Sequence, residues 1–284
     1  TYSSISHAGY ILVALVAGGQ AGGSAALFYL LVYSFMTLGA FGVIRIGMMM
    51  LPEGAVYWAP YVGAVACINV LYGALSAMSQ KDLKYVIAYS SVSHMGVVML
   101  GAATLTVDGW NGAIYQMFAH GMMTGLFFAL VGLVYDRAHT RWVPSMGGFA
   151  KQMPWVAAFF ALAGLSSLGL PGLAGFVAEF LVFLGAWQSD HWWWAIPGII
   201  GAWVTAVYVL RAVRDIFFGE GPRSEEIHGL TDMKRTEWLA PWALGAALII
   251  FGSFPRLILD FIHLATNEYL PRVANLAVHV AQLP

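Results

Sequence analysis

Charge is scarce: Asp, Glu, Lys and Arg make up 10% of the 284 residues and leave a net charge of -1. A soluble domain carries roughly 25% charge. The near-zero balance removes any electrostatic case for binding nucleic acid. Cysteine is almost missing too. The single Cys67 can make neither an internal disulfide nor a thiolate metal site, so its expected role is that of a small apolar side chain. There is no cysteine cluster for iron and sulfur, no GxGxxG fingerprint and no haem ligand pair. If the protein serves a redox enzyme, the redox centres belong to other chains. A secretory signal is also wanting, since residue 1 falls within a motif; the expectation is a chain cut rather than processed.

What is abundant is apolar surface. Hydrophobic residues make up 60% of the chain and the mean hydropathy is +0.74, so membrane insertion is the economical reading. A helix needs about 20 apolar residues to cross a bilayer. About eight segments qualify, at 4–21, 26–47, 57–79, 85–105, 111–135, 154–187, 193–217 and 238–259. The expected fold is all-α, a polytopic helical bundle in the membrane. The piece 154–187 is 34 residues long, too many for one straight crossing, and holds "SSLGLPGLAG". Pro171 removes a backbone donor and the glycines loosen the helix, which predicts two half-helices joined by an inward-facing break at about 165–176. Basic residues sort by loop: Lys81 and Lys84, then Arg137, Arg141 and Lys151, then Arg211, Arg214, Arg223, Lys234 and Arg235. With eight crossings, the positive-inside rule places these loops in the cytoplasm and both termini outside. The tail after Phe261 is mixed in character and is expected to lie along the interface.

Few ionisable residues fall inside these segments, and each is a functional candidate because a charge in hydrocarbon is costly. Glu179, in "GFVAEFLVF", stands within the second half-helix. A Glu pinned by a hydrogen bond to a neighbouring helix is the plainer alternative. Lys84 opens the fourth segment, where it is either an interfacial anchor or, if the helix breaks at "YSSVSHMG", a deeper group. There Ser90, Ser91, Ser93 and His94 could satisfy the freed backbone. His120 lies mid-segment near Tyr115 and Gln116, with an imidazole suited to relaying protons near neutral pH; a satisfied structural histidine is the competing reading. "YSSVSHMG" at 89–96 repeats "YSSISHAG" at 2–9 with six identities in eight. His94 and His7 hold equivalent places in the two copies, and a structural or hydrogen-bonding role is expected for both. Packing and an interfacial aromatic belt account for "GMMM" at 47–50 and for Trp192 to Trp194.

The run "YGALSAMSQKDLKYVIAYSSVSHMG", followed by "AIYQMFAHGMMTGLFFALVGLVYDRAHTR" and "SSLGLPGLAGFVAEFLVFLGAW", closely resembles the antiporter-like subunit M of proton-pumping NADH:quinone oxidoreductase, respiratory complex I. The likeness covers roughly residues 40 to 265. It implies a bacterial inner-membrane protein, with partners among the other membrane-arm subunits. It implies no cofactor in this chain, and NADH, flavin, iron–sulfur clusters and quinone in partner subunits. By motif position it makes Lys84 the central relay lysine, His120 the relay histidine and Glu179 the terminal acid of the broken helix. Tyr89, Ser93, His94 and Pro171 would support them.

Residues 1 to about 42 are similar instead to subunit N of the same complex. A junction is expected near residues 37 to 45, dividing a fragment 1–42 from an antiporter domain 43–265 and an amphipathic tail 266–284. Thr37 stands where the subunit M pattern carries a lysine, and the earlier helices with its glutamate partner are not in this sequence. The resemblance therefore implies one proton half-path nearly whole and a fragment of the other, so the chain is not expected to pump alone. The first octapeptide copy is expected to serve packing. Two alternatives stay open: a subunit of a multisubunit sodium/proton antiporter, and a non-pumping structural or recombinant fragment.

Overall fold

Residues 42, 44, 52–219, 221, 227 and 229–280 are described by the computed structural model, with only the backbone at 52 and 272–280. Apart from residues 42 and 44, the expected segments 4–21 and 26–47, the junction and the 1–42 boundary lie outside these residues, as do His7 and Thr37. Among the described residues eight α-helices follow in order: α1 Pro52–Ser79, α2 Leu83–Ala103, α3 Val107–Ala138, α4 Pro154–Ser167, α5 Ala174–Gln188, α6 Ala195–Phe217, α7 Leu239–Ser253 and α8 Arg256–Val280. Among the described residues there is no strand, only an isolated antiparallel bridge between Asp82 and Trp142.

Local chemistry sets the helix ends. Asp82 caps α2 by accepting from the Lys84 N–H at 2.8 Å, and Thr106 caps α3 by accepting from the Gly109 N–H at 3.1 Å. α4 begins at Pro154, whose missing donor is harmless at the first helical position. Its cap comes from a distant loop: Asp232 accepts from the backbone of Trp155 at 2.9 Å and Val156 at 3.3 Å.

The basic loops meet at one end of the bundle. Leu83 N–H donates to the Arg141 carbonyl, Val143 N–H to that of Lys81 and Gly148 N–H to that of Phe218. Arg137 ties the same end together, donating to the carbonyls of Thr231 at 2.6 Å and Asp232 at 3.2 Å and to the Glu237 carboxylate at 2.6 Å. Charged hydrogen bonds contribute about 1.5–3 kcal/mol each, so Arg137→Ala is expected to loosen this loop. Limited proteolysis should then cut within 229–237 much faster than in the parent; an unchanged rate would show that Asp232 holds the loop unaided. Exposed Trp187, Trp192 and Trp193 mark the opposite end, while Trp155 and Trp242 stand at the basic end, as an aromatic belt at each membrane surface would.

Among the described residues four helices are each long and apolar enough to cross a membrane, within 53–79, 83–103, 107–138 and 192–217. The eight-segment expectation is reached only in part. α4 and α5 are too short to qualify alone, and the expected segment 238–259 ends at Ser253, where the chain turns by 66° into α8. α8 then runs unbroken through residues 265 and 266. Its inner face is held to the start of α3, where Asn111 Nδ2 lies 3.0 Å from His263 Nδ1 and Asn111 Oδ1 accepts from Thr266 Oγ1 at 2.8 Å.

α2 and α3 are the enclosed helices, whereas α1 and α6 turn much of their surface outward. α3 packs closely on α5 because each offers glycine at the contact: a Cβ on Gly112 of α3 would stand 2.5 Å from the Val182 nitrogen, and one on Gly185 of α5 would collide with the Gly109 backbone. Such small-residue contacts suit helix packing in lipid, where van der Waals fit must replace the hydrophobic drive.

Candidate functional site

The break between α4 and α5 is where it was expected, at 168–173. α4 ends in a Schellman arrangement: Gly169 takes a left-handed φ of 72°, its N–H donates to the Ser166 carbonyl, and the Leu170 N–H donates to that of Leu165. Leu173 N–H then donates to the Leu170 carbonyl, and Pro171 has no N–H to satisfy. The inward-facing expectation needs correction here. Leu170, Pro171 and Gly172 are exposed, whereas Ser166 and Ser167 are buried. The turn meets part of its hydrogen-bonding needs locally, and α7 meets another part, where Ser253 Oγ donates to the Gly172 carbonyl at 3.5 Å.

Four helices converge on one buried polar cluster: His94 from α2, Gln116 and His120 from α3, Ser166 and Ser167 from α4, and Glu179 from α5. Each of these residues is at most 6% exposed. His94 is the hub. Its Nε2 lies 3.0 Å from Ser167 Oγ, and its Nδ1 lies 3.2 Å from both Glu179 Oε1 and Gln116 Nε2. The His120 ring stands 5.3 Å from that of His94, tilted by 44°. Glu179 Oε2 lies against the break, 3.0 Å from where a Cβ on Gly169 would sit. Helical spacing explains the convergence: Gln116 and His120 are four residues apart on α3, as are Gly175 and Glu179 on α5, so each pair shares a face.

This geometry can hold a proton in two ways. In one, His94 Nδ1 is bare, accepts from the Gln116 amide and faces a protonated Glu179. In the other, Nδ1–H donates to ionised Glu179, and Gln116 turns to present its oxygen. Gln116 Oε1 is buried without a hydrogen-bond partner, so in the orientation present one half of that amide is unsatisfied. Turning the amide exchanges donor for acceptor at His94 without moving the backbone.

Lys84 is not part of this cluster. It lies in the first turn of α2, half-buried, ten residues before His94 and hence about 15 Å lower along the helix axis. The break considered at "YSSVSHMG" does not occur, since α2 is continuous from Leu83 to Ala103. The serines there serve other ends: Ser91 Oγ donates to the Ile87 carbonyl at 3.1 Å, and Ser93 Oγ to the Val70 carbonyl on α1 at 2.9 Å. Tyr89 packs edge-on against Tyr72, with ring centroids 6.5 Å apart. Ser167 and Ser166 went unread as site residues, although a serine pair before a glycine break was a usable signal. Ser90 and Tyr208, whose hydroxyls lie 2.6 Å apart, gave less: a lone tyrosine in "AVYVL" looks like packing.

A buried carboxylate beside a broken helix, facing a histidine inside an apolar bundle, defines a polytopic helical membrane protein with an ionisable core. Residues 1–50 and 36–205 match the family described as NADH:quinone oxidoreductase/Mrp antiporter, TM, and the chain belongs to that family. It is 39% identical over 242 residues to the chloroplastic NAD(P)H-quinone oxidoreductase chain 4 of Mesostigma viride, covering 83% of this chain and 48% of that protein. Among solved structures it is similar to a chain of respiratory complex I from Thermus thermophilus with bound NADH, with a TM-score of 0.79 and 31% identity over 88% of this chain and 51% of that one. It shares the fold of a chain of the Mrp complex from Dietzia sp., with a TM-score of 0.78 and 19% identity over 95% of this chain and 60% of that one. The chain spans about half the length of the curated relatives it matches.

Proposed function

We propose that this chain is a proton-translocating membrane-arm subunit of an NADH:quinone oxidoreductase in a bacterial plasma membrane, coupled to quinone reduction carried out by partner subunits. The observation that carries the reading is the buried contact of His94 Nδ1 with Glu179 Oε1 at 3.2 Å, a base and an acid within reach of one shared proton, placed against a helix break. Lys84 takes up or stabilises the proton near the basic end, His120 with ordered water carries it laterally, and Glu179 releases it toward the outer side. His94 joins the last two stations, since its Nδ1 meets Glu179 Oε1 at 3.2 Å and its ring stands 5.3 Å from that of His120. Moving one charge across 100 mV requires about 2.3 kcal/mol, so a change of one to two pKa units at a buried group, about 1.4 kcal/mol each, is of the right size to gate the step. The junction expected near 37–45 falls within the overlap of the two family matches, which supports a chain composed of two related pieces.

The test uses the full-length protein assembled in its complex. Glu179→Gln is expected to lower protons translocated per NADH oxidised severalfold, because the amide keeps the shape but takes up no proton. Unchanged translocation would remove Glu179 from the path. Membership of a family that includes Mrp antiporters favours one second reading, a sodium/proton antiporter subunit. Deleting the subunit should impair NADH oxidation under the first reading and sodium tolerance alone under the second.

A further inference from the structure

A crevice of about 200 Å³ opens at the basic end of the bundle, lined by residues from the last turns of α1 and α6. That is far more than the roughly 10–15 Å³ one water needs. Met78, Val143, Pro144 and Ala212 give it apolar walls, and Lys81 and Arg211 are the cations in its lining. The charges there do not cancel. Asp215, also in the lining, meets Arg211 at 3.6 Å and Arg214 at 2.8 Å, so one carboxylate answers two guanidiniums. Lys81 has no carboxylate within ion-pair distance among the described residues; its Nζ lies 5.9 Å from the centre of the exposed Trp142 ring instead. The neighbouring Asp82 is taken by Arg141 at 3.8 Å. Lys81, Arg211 and Arg214 therefore face Asp215 alone, and the C-terminal ends of α1 and α6 offset about half a charge each. An excess of about one positive charge remains, which one phosphodiester cancels. Apolar surface leads away from these cations. Ile200, Trp203 and Val207 are exposed and precede Arg211 on α6 at steps of three and four, a single stripe on one helix face. Snorkelling to the interface accounts for exposed cations, but not for a walled crevice that they share.

We propose that this crevice seats the head group of one anionic phospholipid from the leaflet at the basic end. Arg211 holds the phosphodiester through paired N–H donors and Lys81 holds it as a point charge. Arg214 keeps Asp215 from repelling the phosphate, since its contact with that carboxylate, at 2.8 Å, is closer than that of Arg211, at 3.6 Å. Arg211 is thereby left available to the lipid. An acyl chain lies along Val207, Trp203 and Ile200, whose stripe ends at Arg211 as a lipid's hydrocarbon ends at its phosphate. Basic pockets between membrane helices bind anionic head groups on these grounds. A zwitterionic lipid brings its own cation beside Lys81 and Arg211 and gains less. A free anion uses the cations but leaves the stripe uncovered. The assignment needs only membrane insertion and holds whichever ion the subunit moves.

The test places the complete protein, within its complex, in nanodiscs of mixed phosphatidylglycerol and phosphatidylcholine. A small share of the phosphatidylglycerol carries a photoactivatable group on one acyl chain. Labelled peptides are located by mass spectrometry, and labelling is normalised to assembled complex. Labelling within 200–211 is expected to exceed at least fivefold that from phosphatidylcholine bearing the same group at the same content. Equal labelling by the two lipids would overturn the proposal, because the face then takes bulk lipid; that comparison needs no variant. Lys81→Gln combined with Arg211→Gln should cut labelling by phosphatidylglycerol at least fivefold, whereas Lys81→Arg combined with Arg211→Lys should retain most of it. Unchanged labelling in the glutamine pair would remove both cations from the site and the proposal with them. Inorganic phosphate added at constant ionic strength should leave the labelling as it was. Displacement by phosphate would show that the crevice takes the free anion, and the lipid assignment would fall.

Discussion

His94→Ala is expected to cut proton translocation by the complete protein at least tenfold, more than Glu179→Gln does. The glutamine variant leaves an imidazole that still meets Ser167, Gln116 and His120. The alanine variant removes the group that joins them: the Nε2 contact to Ser167, the Nδ1 contacts to Glu179 and Gln116, and the ring beside His120. It also leaves the buried Glu179 carboxylate facing a void. Breaking a buried pair by deleting one member costs about 3–5 kcal/mol, so less assembled complex is expected as well. His94→Gln separates the two effects, because an amide can meet Glu179 and Ser167 yet cannot carry a proton at neutral pH. Assembly should recover in that variant, and translocation should not. Parental translocation in His94→Gln would return His94 to the structural role that its place in a repeated octapeptide suggested.

Gly175→Ala is expected to have the largest effect on the break itself. A Cβ at Gly175 collides with the Ser166 carbonyl oxygen. The obstacle is backbone, which cannot rotate aside as a side chain can. The half-helices α4 and α5 must therefore separate at the point that carries Ser167 toward His94. Overpacking of this kind costs roughly 1–3 kcal/mol, and the displacement falls on a contact only 3.0 Å long. Lower thermal stability of the assembled complex and a loss of translocation beyond the loss of assembly are the expected readouts. Gly132 is the control, since a Cβ there meets nothing within 4 Å. If Gly175→Ala behaved like Gly132→Ala, α4 and α5 would have room to spare and the close approach would not position Ser167.

Much of the site could be read before any coordinates. "SSLGLPGLAG" marked the break because proline and glycine act locally, through a missing donor and a tolerated positive φ. Glu179 declared itself by being a lone carboxylate in an apolar run. Lys84 shows the opposite outcome. Its place beside "YSSVSHMG" suggested a deep group next to a broken helix, yet Asp82 caps an unbroken α2 and leaves Lys84 in the first turn. A cap residue competes for the same backbone groups as a break, and sequence does not say which prevails.

Amino-acid order alone thus settled the all-helical membrane character, the position of the break and the candidacy of Glu179 and His120. Each depends on composition or on backbone preferences that act over a few residues. It did not reveal that His94 is the hub, that Ser167 and Gln116 flank it, or that Tyr208 reaches Ser90 across 118 residues of chain. Those contacts join helices far apart in sequence. Gln116 and Glu179 are brought together because glycines let α3 and α5 approach closely, and Ser167 meets His94 from the last turn of α4, just before the break. Distances between side chains on different helices follow from how the helices pack, which no short stretch of sequence encodes.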